Sequence, residues 1–393
     1  AGRKPRRGGL LKSPLSRAFG RRYHAAVNPT ATPVNPAHRR FEALDSLRGV
    51  CAILVVMFHM PVAAHWRDWG LIQHSYLFVD YFFVLSGFVI AHAYSQRLKT
   101  PTDAGRLMVR RLGRVWPLHV MVLAAYIGLE LIRLWAHFDS VTPFTRDRSV
   151  EAIFSNLLLV QAYNIHPSLT WNGPSWTLSV EVGCYVVFAL LLLAIPKAWR
   201  WIGAVLAVVG AVIVLTQKGY MNTTYDFAFP RAVYGFFLGS LLQGFWTRIP
   251  RLKGHAATVL EIAAVIGVCV FIGYATGAKT ILVTLLFVAA VWVFAGEDGA
   301  LSRLLDAKPL VTLGRWSFAI YMVHMFVLVV TIIIARKLDW MPARRIDFGS
   351  VWLNDLFGIG LFGVIVVLAV LAHKFVEQPA QRMIDRWTKP KTA

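Results

Sequence analysis

Long apolar runs recur along the chain and are separated by short polar segments. An α-helix needs about twenty apolar residues to cross the hydrocarbon core of a bilayer. Runs near this length lie at residues 44–63, 76–94, 113–136, 176–195, 200–216, 228–246, 257–275, 279–295, 316–335 and 352–374. The pattern therefore predicts an all-α, polytopic integral membrane protein with about ten transmembrane helices.

Two segments lie outside this pattern. Residues 1–40 combine ten Lys and Arg residues with Pro, Gly and small residues, which predicts a disordered basic arm on the cytoplasmic face. Residues 150–163 are apolar but short, which predicts an interfacial or re-entrant segment. The chain thus divides into the arm at 1–40, a transmembrane domain at 41–386 and a cytoplasmic tail at 387–393.

Basic residues fall mainly on one side of the predicted spans. With the N-terminus inside, the inner segments hold 29 of the 41 Lys and Arg residues and the outer loops hold 9. Because positive charge favours the cytoplasmic side, both termini are predicted in the cytoplasm. One outer loop is an exception, since it holds Arg336, Lys337, Arg344 and Arg345.

Composition excludes an ordinary soluble domain, because 57% of the residues are hydrophobic and the mean hydropathy is +0.56. A net charge of +21 can indicate nucleic-acid binding, but membrane orientation accounts for it here, so no nucleic-acid partner is predicted. Cys51, Cys184 and Cys269 all lie in apolar runs without metal-binding spacing. They predict neither a disulfide framework nor a metal site.

The first predicted helix carries two ionisable groups, Arg48 and His59. Eleven residues separate them, so they project from nearly the same face about 16 Å apart along the axis. An ionisable side chain inside the membrane is costly and usually marks a functional pathway. This helix is therefore predicted to form one wall of a chamber that runs across the membrane.

Three ionisable groups are predicted at similar depth in the outer half of the membrane: His59, Asp80 and Glu181. A histidine beside a carboxylate is a workable general base, because the carboxylate fixes the tautomer and stabilises the imidazolium. These three residues are the candidate catalytic groups. The alternative is a structural hydrogen bond between helices.

The predicted cytoplasmic side of the spans carries positive charge, whereas the outer half carries the carboxylates Asp80 and Glu181. Arg110, Arg111 and Arg114 lie at the entrance to the third span, and Arg48 belongs to the same region. Several arginines near one opening suit a polyanion such as a nucleotide phosphate, which they grip bidentately. Arginines beside a membrane also serve simply for orientation and for lipid headgroups, so both interpretations stand.

Other intramembrane polar residues carry weaker signals. Trp176 belongs either to an interfacial aromatic belt or to a platform for a sugar ring. Ser86 lies beside a glycine and allows close helix packing, although a nucleophilic role is also open. His324 is interpreted as a packed core histidine. Glu130 and Glu261 have no partner that the sequence identifies.

Six motifs occur in order along the chain. They are LDSLRGVCAILVVMFH (44–59), VDYFFVLSGFVI (79–90), RRLGRVWPLH (110–119), SWTLSVEVGCYVVF (175–188), LGRWSFAIYMVH (313–324) and KFVEQPAQR (374–382). Together they resemble the signatures of the acyltransferase-3 family of membrane-bound acyltransferases. The resemblance covers about residues 41–386, nearly all of the chain except the basic arm.

The resemblance implies an O-acyltransferase of the bacterial cytoplasmic (inner) membrane. It would move an acyl group, acetyl first and succinyl as the alternative, from cytoplasmic acyl-CoA to a hydroxyl of an extracytoplasmic glycan or glycolipid. Acyl-CoA is then the donor substrate, and no permanently bound cofactor or metal is required. Many members carry a fused esterase-like domain, for which we expect no room here, so transfer would be completed alone or with a separate partner.

In that family the residues matching Arg48, His59, Arg111 and Arg114 are regarded as essential. We expect His59 to act as the general base and the inner arginines to hold the CoA phosphates. The candidate substrate-binding residues are Arg48, Arg111, Arg114, Asp45, Trp176 and Ser86.

A proton-coupled transporter is the main alternative, because it also needs intramembrane His, Asp and Glu residues. It would predict inverted repeats and interrupted helices, and no clear repeat is visible. A structural or partner-docking membrane protein is a third interpretation, which leaves the polar groups unexplained. The sequence does not give the oligomeric state.

Overall fold

The computed structural model describes residues 41–137, 141–246, 248–250 and 252–388. The predicted basic arm at 1–40 and residues 389–393 of the predicted tail lie outside the described residues. The described residues contain no β-strand, only an isolated bridge between Val62 and Ile346. The helices are α1 (Glu42–His59), α2 (Gly70–Gln73), α3 (Phe78–Tyr94), α4 (Pro101–Ala136), α5 (Val150–Leu157), α6 (Trp176–Ala194), α7 (Trp199–Gln217), α8 (Ala228–Trp246), α9 (Gly254–Tyr274), α10 (Val283–Phe294), α11 (Ala300–Leu305), α12 (Lys308–Lys337), α13 (Val351–Ala372) and α14 (Gln378–Thr388).

A helix occupies each of the ten predicted spans. Within the described ranges, eight segments are long and apolar enough to cross a membrane, and these include every predicted span except α1 and α8. The protein is therefore an all-α, polytopic membrane protein, as predicted. The count of ten crossings and the cytoplasmic location of both termini stay predictions.

The two less apolar helices, α1 and α8, are packed among other helices. α1 contacts α3 and α12, and α8 contacts α3, α6 and α7. Helix faces that touch protein rather than lipid can carry polar and small residues. This packing accounts for the charged residues of α1 and for Arg231, which is fully buried on α8.

Two helices begin well before their predicted spans. α4 starts at Pro101, where the Thr100 and Asp103 side chains form a capping box, and not at residue 113. α12 starts at Lys308 and not at residue 316. Hydropathy detects only the apolar part of a helix, whereas caps decide where the helix begins. Arg110 and Arg111 are therefore inside α4, about three turns from its start.

The helix pairs nearest the candidate site approach one another through glycine. A Cβ atom added to Gly314 of α12 would lie 2.3 Å from the Asp45 carbonyl oxygen of α1. On α3, a Cβ atom at Gly87 would lie 1.8 Å from the Phe236 carbonyl oxygen of α8. Small residues at such crossings let backbones come close together, which drives helix association in lipid.

The two carboxylates that lacked an identified partner have structural partners. Glu261 accepts hydrogen bonds from the backbone N–H groups at the start of α11 and from Ser302 Oγ at 2.5 Å. Glu130 accepts from Arg133 at 3.0 Å and from Arg148 in the loop after α4. Both carboxylates therefore attach a connecting segment to a long helix.

The segment predicted to be interfacial or re-entrant contains the short helix α5. Its eight residues span about 12 Å, too little to cross a bilayer. Phe154 and Leu158 are exposed at 64% and 73%, so apolar side chains face out of the protein here. The segment therefore does not add an eleventh crossing.

Candidate active site

Arg48 and His59 lie on the single helix α1, and α12 runs beside it in the same direction. Arg48 contacts Ser317 and His59 contacts His324, which are seven residues apart on α12. Seven residues are about two helical turns, so both α12 side chains project from one face. α1 and α12 together form the wall that connects the two ends of the candidate site.

The Arg48 guanidinium is fixed by three partners. Its Nε donates to Ser317 Oγ at 2.9 Å, and its Nη2 donates to the Gly314 carbonyl at 2.8 Å. Its Nη1 pairs with Asp45 Oδ1 at 3.2 Å. Arg48 and Asp45, both predicted to bind substrate, are therefore bound to each other. A guanidinium has five N–H donors, so part of this capacity is left for a ligand.

Arg111 and Arg114 differ from their neighbour Arg110. Arg110 donates through Nε and Nη2 to Thr388 of α14, at 2.9 and 3.1 Å. In the described part of the chain, Arg111 and Arg114 form no hydrogen bond or ion pair with a side chain. Arg114 is close enough to Arg48 for their charges to interact. Two arginines without a counter-ion can bind an anion, which keeps both as donor-site candidates.

A π-helical turn, His373–Glu377, joins the same inner cluster. Glu377 is fixed by His373 Nδ1 at 2.7 Å and by Gln381 Nε2 at 2.9 Å, and its charge acts on Arg48. π-helical turns are rare and frequently occur at functional sites. The KFVEQPAQR motif thus places a carboxylate near Arg48, a role that the sequence analysis did not assign.

The His59 ring at the other end of α1 is oriented by its own helix. Its Nδ1 lies 2.8 Å from the Val55 carbonyl oxygen. Because a carbonyl oxygen only accepts, Nδ1 must carry a hydrogen, and in the neutral imidazole this leaves Nε2 with a free lone pair. The side chain is only partly buried. In this orientation a neutral His59 imidazole can therefore accept a proton from a substrate through Nε2.

The neighbour of His59 is a second histidine. The rings of His59 and His324 have centroids 5.2 Å apart. His324 is fully buried, its Nδ1 lies 2.6 Å from the Tyr321 carbonyl, and its Nε2 has no hydrogen-bond partner among the described residues. The interpretation of His324 as an ordinary packed histidine is incomplete, since a satisfied core histidine would not leave a buried acceptor unpaired.

The predicted contact between His59 and a carboxylate is not formed. Asp80 is fully buried and bound bidentately by Arg231, at 3.0 Å from Nε to Oδ1 and 2.8 Å from Nη2 to Oδ2. Arg231 also donates to the Thr223 carbonyl at 2.9 Å. Similar depth in the membrane does not bring side chains together, because they must also face the same direction. The catalytic role of Asp80 stays a prediction.

Glu181 belongs to a separate polar cluster. Its Oε1 accepts from Ser86 Oγ and from Tyr185 OH, both at 2.5 Å. Arg111 lies over the Tyr185 ring, with its Cζ atom 5.9 Å from the centroid. Of the three candidate catalytic residues, Glu181 is thus the one linked to the predicted donor-site arginines. Ser86 and Glu181, predicted independently, are in direct contact.

Trp176 lies at the start of α6 and is buried, with 5% exposed. The Arg231 guanidinium lies 5.4 Å from the centroid of its ring, and Phe83 packs edge-on against it. The ring therefore covers the Asp80–Arg231 pair. This packing accounts for Trp176 without a sugar, and its predicted role in substrate binding stays untested.

Residues far apart in sequence supply the contacts that the sequence analysis missed. Ser317 and His324 both lie in the WSFAIYMVH motif, and their spacing of two turns was a signal that they share a face. No comparable spacing linked Arg231 with Asp80 or Tyr185 with Ser86. In the ranges that the structure describes, no group of three or more His, Cys, Asp or Glu side chains could hold a metal ion.

A protein-family model described as an acyltransferase domain matches residues 41–374, which include every residue of the candidate site except Glu377. The chain belongs to the acyltransferase-3 family. The resemblance of the six motifs is thereby confirmed, and the protein is a multi-pass membrane acyltransferase.

Relatives of this acyltransferase carry matching names. The acyltransferase MdmB of Streptomyces mycarofaciens is 27% identical, over 88% of this chain and 93% of its own length. A putative peptidoglycan O-acetyltransferase of Bacillus subtilis, YrhL, is 26% identical over 87% of this chain and 55% of its own length.

The peptidoglycan O-acetyltransferase OatA of Listeria monocytogenes is 23% identical, over 86% of this chain and 56% of its own length. The acyltransferase chain thus spans about half of the peptidoglycan enzymes and nearly all of MdmB. No solved structure matches.

Proposed function

We propose that this acyltransferase moves an acyl group from cytoplasmic acyl-CoA to a hydroxyl of a glycan or glycolipid on the opposite side of the membrane. The observation that carries the proposal is the placement of two arginines, without a counter-ion among the described residues, near one end of α1 and of an available imidazole at the other end. The relatives named as O-acetyltransferases favour an acetyl group, with succinyl as the alternative.

The donor would bind at the arginine end. Arg111 and Arg114 have no counter-ion among the described residues, so CoA phosphates would supply one. Arg48 is already held by Ser317 and Asp45 and would add a contact without moving. The thioester arm would then extend along α1 toward His59, over about 16 Å.

The chemistry would occur at His59. Its Nε2 would remove the proton of the acceptor hydroxyl while the oxygen attacks the thioester carbonyl carbon. The new C–O bond forms as the C–S bond breaks, and the CoA thiolate leaves and takes the proton from His59. In the interval the imidazolium would keep its Nδ1–H on the Val55 carbonyl and hold the new Nε2–H for the departing thiolate. We assign Asp80 a structural part in this scheme, because Arg231 neutralises it.

Radiolabelled acetyl-CoA and a glycan acceptor in proteoliposomes would test the proposal. Acetyl-CoA should support transfer only from the side of Arg111 and Arg114, and the label should appear on acceptor on the opposite side. Acceptor crossing the membrane without release of CoA would indicate the transporter instead. Label that appears only on the donor side would contradict transfer across the membrane.

The location follows from the same scheme. We propose that the protein resides in a bacterial cytoplasmic membrane. Its only required partners would be the bilayer, acyl-CoA and the glycan, and it would bind no nucleic acid. The excess of basic residues in the inner segments supports a cytoplasmic N-terminus and C-terminus. The single-cysteine variants Thr142→Cys and Arg386→Cys should differ in labelling, because an impermeant reagent added outside should reach only the cysteine at position 142. Equal labelling of both would refute this orientation.

A further inference from the structure

In the turn after α1, three buried N–H donors have no acceptor among the described residues. This turn, the 3-10 helix His65–Asp68, follows α1 closely. The donors are Trp66 Nε1, Arg67 Nε and Arg67 Nη1, and none of them has a hydrogen-bond partner in the described part of the chain. Buried donors are almost always paired, so three of them on adjacent residues require an explanation. All three lack the same kind of partner, a hydrogen-bond acceptor.

Charge at this turn points to the same missing partner. Arg67 forms no ion pair within the described ranges, and the largest effect of a neighbouring charge on it comes from another cation, Arg345. Burial and the charge of Arg345 lower the pKa of the Arg67 guanidinium, and the charge of Asp68 raises it. Arg345 in turn pairs with Asp68 at 3.3 Å, an exposed contact of little strength. Two guanidinium groups are thus held near each other with one exposed carboxylate.

The other carboxylates nearby have partners of their own. Asp355 binds the His65 ring at 2.5 Å and the His65 backbone N–H at 2.9 Å. Asp347 accepts from Asn354 Nδ2 and from the Gly349 N–H, both at 2.9 Å, and these hydrogen bonds lower its pKa. Neither is therefore a counter-ion for Arg67.

The fold holds this cationic group in place. The Ile346 N–H donates to the Pro61 carbonyl at 2.7 Å, and the Ala63 N–H donates to the Ile346 carbonyl at 3.0 Å. The predicted outer loop that is unusually rich in Lys and Arg is therefore attached by these bonds to the segment that follows His59. The Trp66 ring lies against Gly358 of α13, where a Cβ atom would be only 2.8 Å away. The positive charges of this loop are therefore fixed beside the catalytic end of α1.

The turn is also close to the reacting group. Arg67 follows His59 by only eight residues, in a segment that is tied down at Pro61 and Ala63, and its charge acts on the His59 ring. An anion bound at Arg67 would therefore lie within reach of a molecule whose hydroxyl is at His59. We propose that Trp66, Arg67 and Arg345 bind an anionic oxygen group, a carboxylate or a phosphate, of the acyl acceptor. The inference rests on the proposed function and narrows it, since the acceptor becomes an acidic glycan or a glycan carried on a phosphate.

A pair of acceptors that differ by one charge would test the proposal. A uronic acid glycoside and its methyl ester have the same ring hydroxyls, and only the acid carries a carboxylate. Calorimetric titration of the purified full chain should show the acid binding about 10- to 100-fold more tightly, as expected for charge-assisted hydrogen bonds to buried donors. Equal affinity, or no measurable binding of the acid, would overturn the proposal.

Variants identify the residues responsible. Arg67→Gln should lower the affinity for the acid to that of the ester and leave the ester unchanged, and Trp66→Phe should cause a smaller loss in the same direction. Lys337→Gln is the matched control, because Lys337 is an exposed cation at the end of α12, next to the same loop. If Arg67→Gln retains the preference, or Lys337→Gln loses it equally, the site is not the one proposed. Unchanged acyl-CoA binding would show that each variant is folded.

Two further measurements distinguish binding of an acidic acceptor from binding of a lipid headgroup, and the proposed site from the proposed function. Nanodiscs of phosphatidylcholine, with and without phosphatidylglycerol, distinguish an acceptor from a lipid headgroup. If Arg67→Gln changes thermal stability only with phosphatidylglycerol and leaves the acid preference intact, the site binds lipid and the proposal is wrong. The transfer assay is run in parallel. Tight, Arg67-dependent binding of the acid without any acyl transfer would support the site and contradict the proposed function.

Discussion

Gly314 is the position where a single methyl group should disturb the candidate site most. A Cβ atom there would lie 2.3 Å from the Asp45 carbonyl oxygen, whereas ordinary contacts begin near 3.4 Å. Gly314→Ala should therefore push α12 away from α1 by about 1 Å. The Arg48 hydrogen bonds to Ser317 and to the Gly314 carbonyl, now 2.9 and 2.8 Å, would be stretched.

A displacement of about 1 Å in a catalytic framework can cost about 10²-fold in rate. We therefore expect Gly314→Ala to lower kcat/KM by about 10²-fold, without removing any functional group. Gly363→Ala on α13 is the control, since a Cβ atom there meets no atom within 4 Å. Because Ala favours helix over Gly by about 1 kcal/mol, the control should keep its activity and its stability.

The assay is acyl transfer in proteoliposomes, together with the fluorescence-monitored unfolding temperature of each variant. A folded Gly314→Ala protein with the wild-type transfer rate would refute the reasoning, because α1 and α12 would then tolerate separation. A loss of activity in Gly363→Ala as well would show that glycine substitution harms the bundle generally.

Three further predictions follow from the same contacts. His59→Ala should leave acyl-CoA affinity unchanged and lower transfer by about 10²–10⁴-fold, the usual contribution of a general base; a wild-type rate of label transfer would make His59 structural. Arg111→Ala and Arg114→Ala should each weaken acyl-CoA binding by about 1–3 kcal/mol in calorimetry, with partial rescue by Lys; unchanged affinity in both would assign them to orientation alone. Asp80→Ala should destabilise the fold by about 3–5 kcal/mol by leaving Arg231 buried without a partner, and Arg231→Met in the same protein should restore most of the unfolding temperature; an equally unstable double variant would show that the pair is not the cause.

Sequence patterns located the helices well because hydropathy and helix length are local properties. The ten apolar runs coincide with helices, and the spacing of Arg48 and His59 was enough to place them on one helix. The errors concern the starts of α4 and α12, because each helix begins in a polar segment that precedes its apolar run. The order of the six motifs indicated the acyltransferase-3 family, and the family match confirms it.

Partners across helices could not be derived in the same way. Predicted depth put His59, Asp80 and Glu181 at one level, yet Asp80 binds Arg231 and Glu181 binds Ser86 and Tyr185. Depth depends on position along a helix, but contact also depends on the direction a side chain faces, which changes by about 100° per residue.

The sequence by itself determined a polytopic helical membrane protein, the helix that carries Arg48 and His59, and the pair of arginines at Arg111 and Arg114. Only the tertiary structure decided that His59 faces His324, that Arg48 is held by α12 and that Arg67 has no counter-ion among the described residues. The physical reason is that bilayer insertion depends on the composition of each segment. Helix association depends on close packing at residues such as Gly314 and on polar partners more than 200 residues away in the chain.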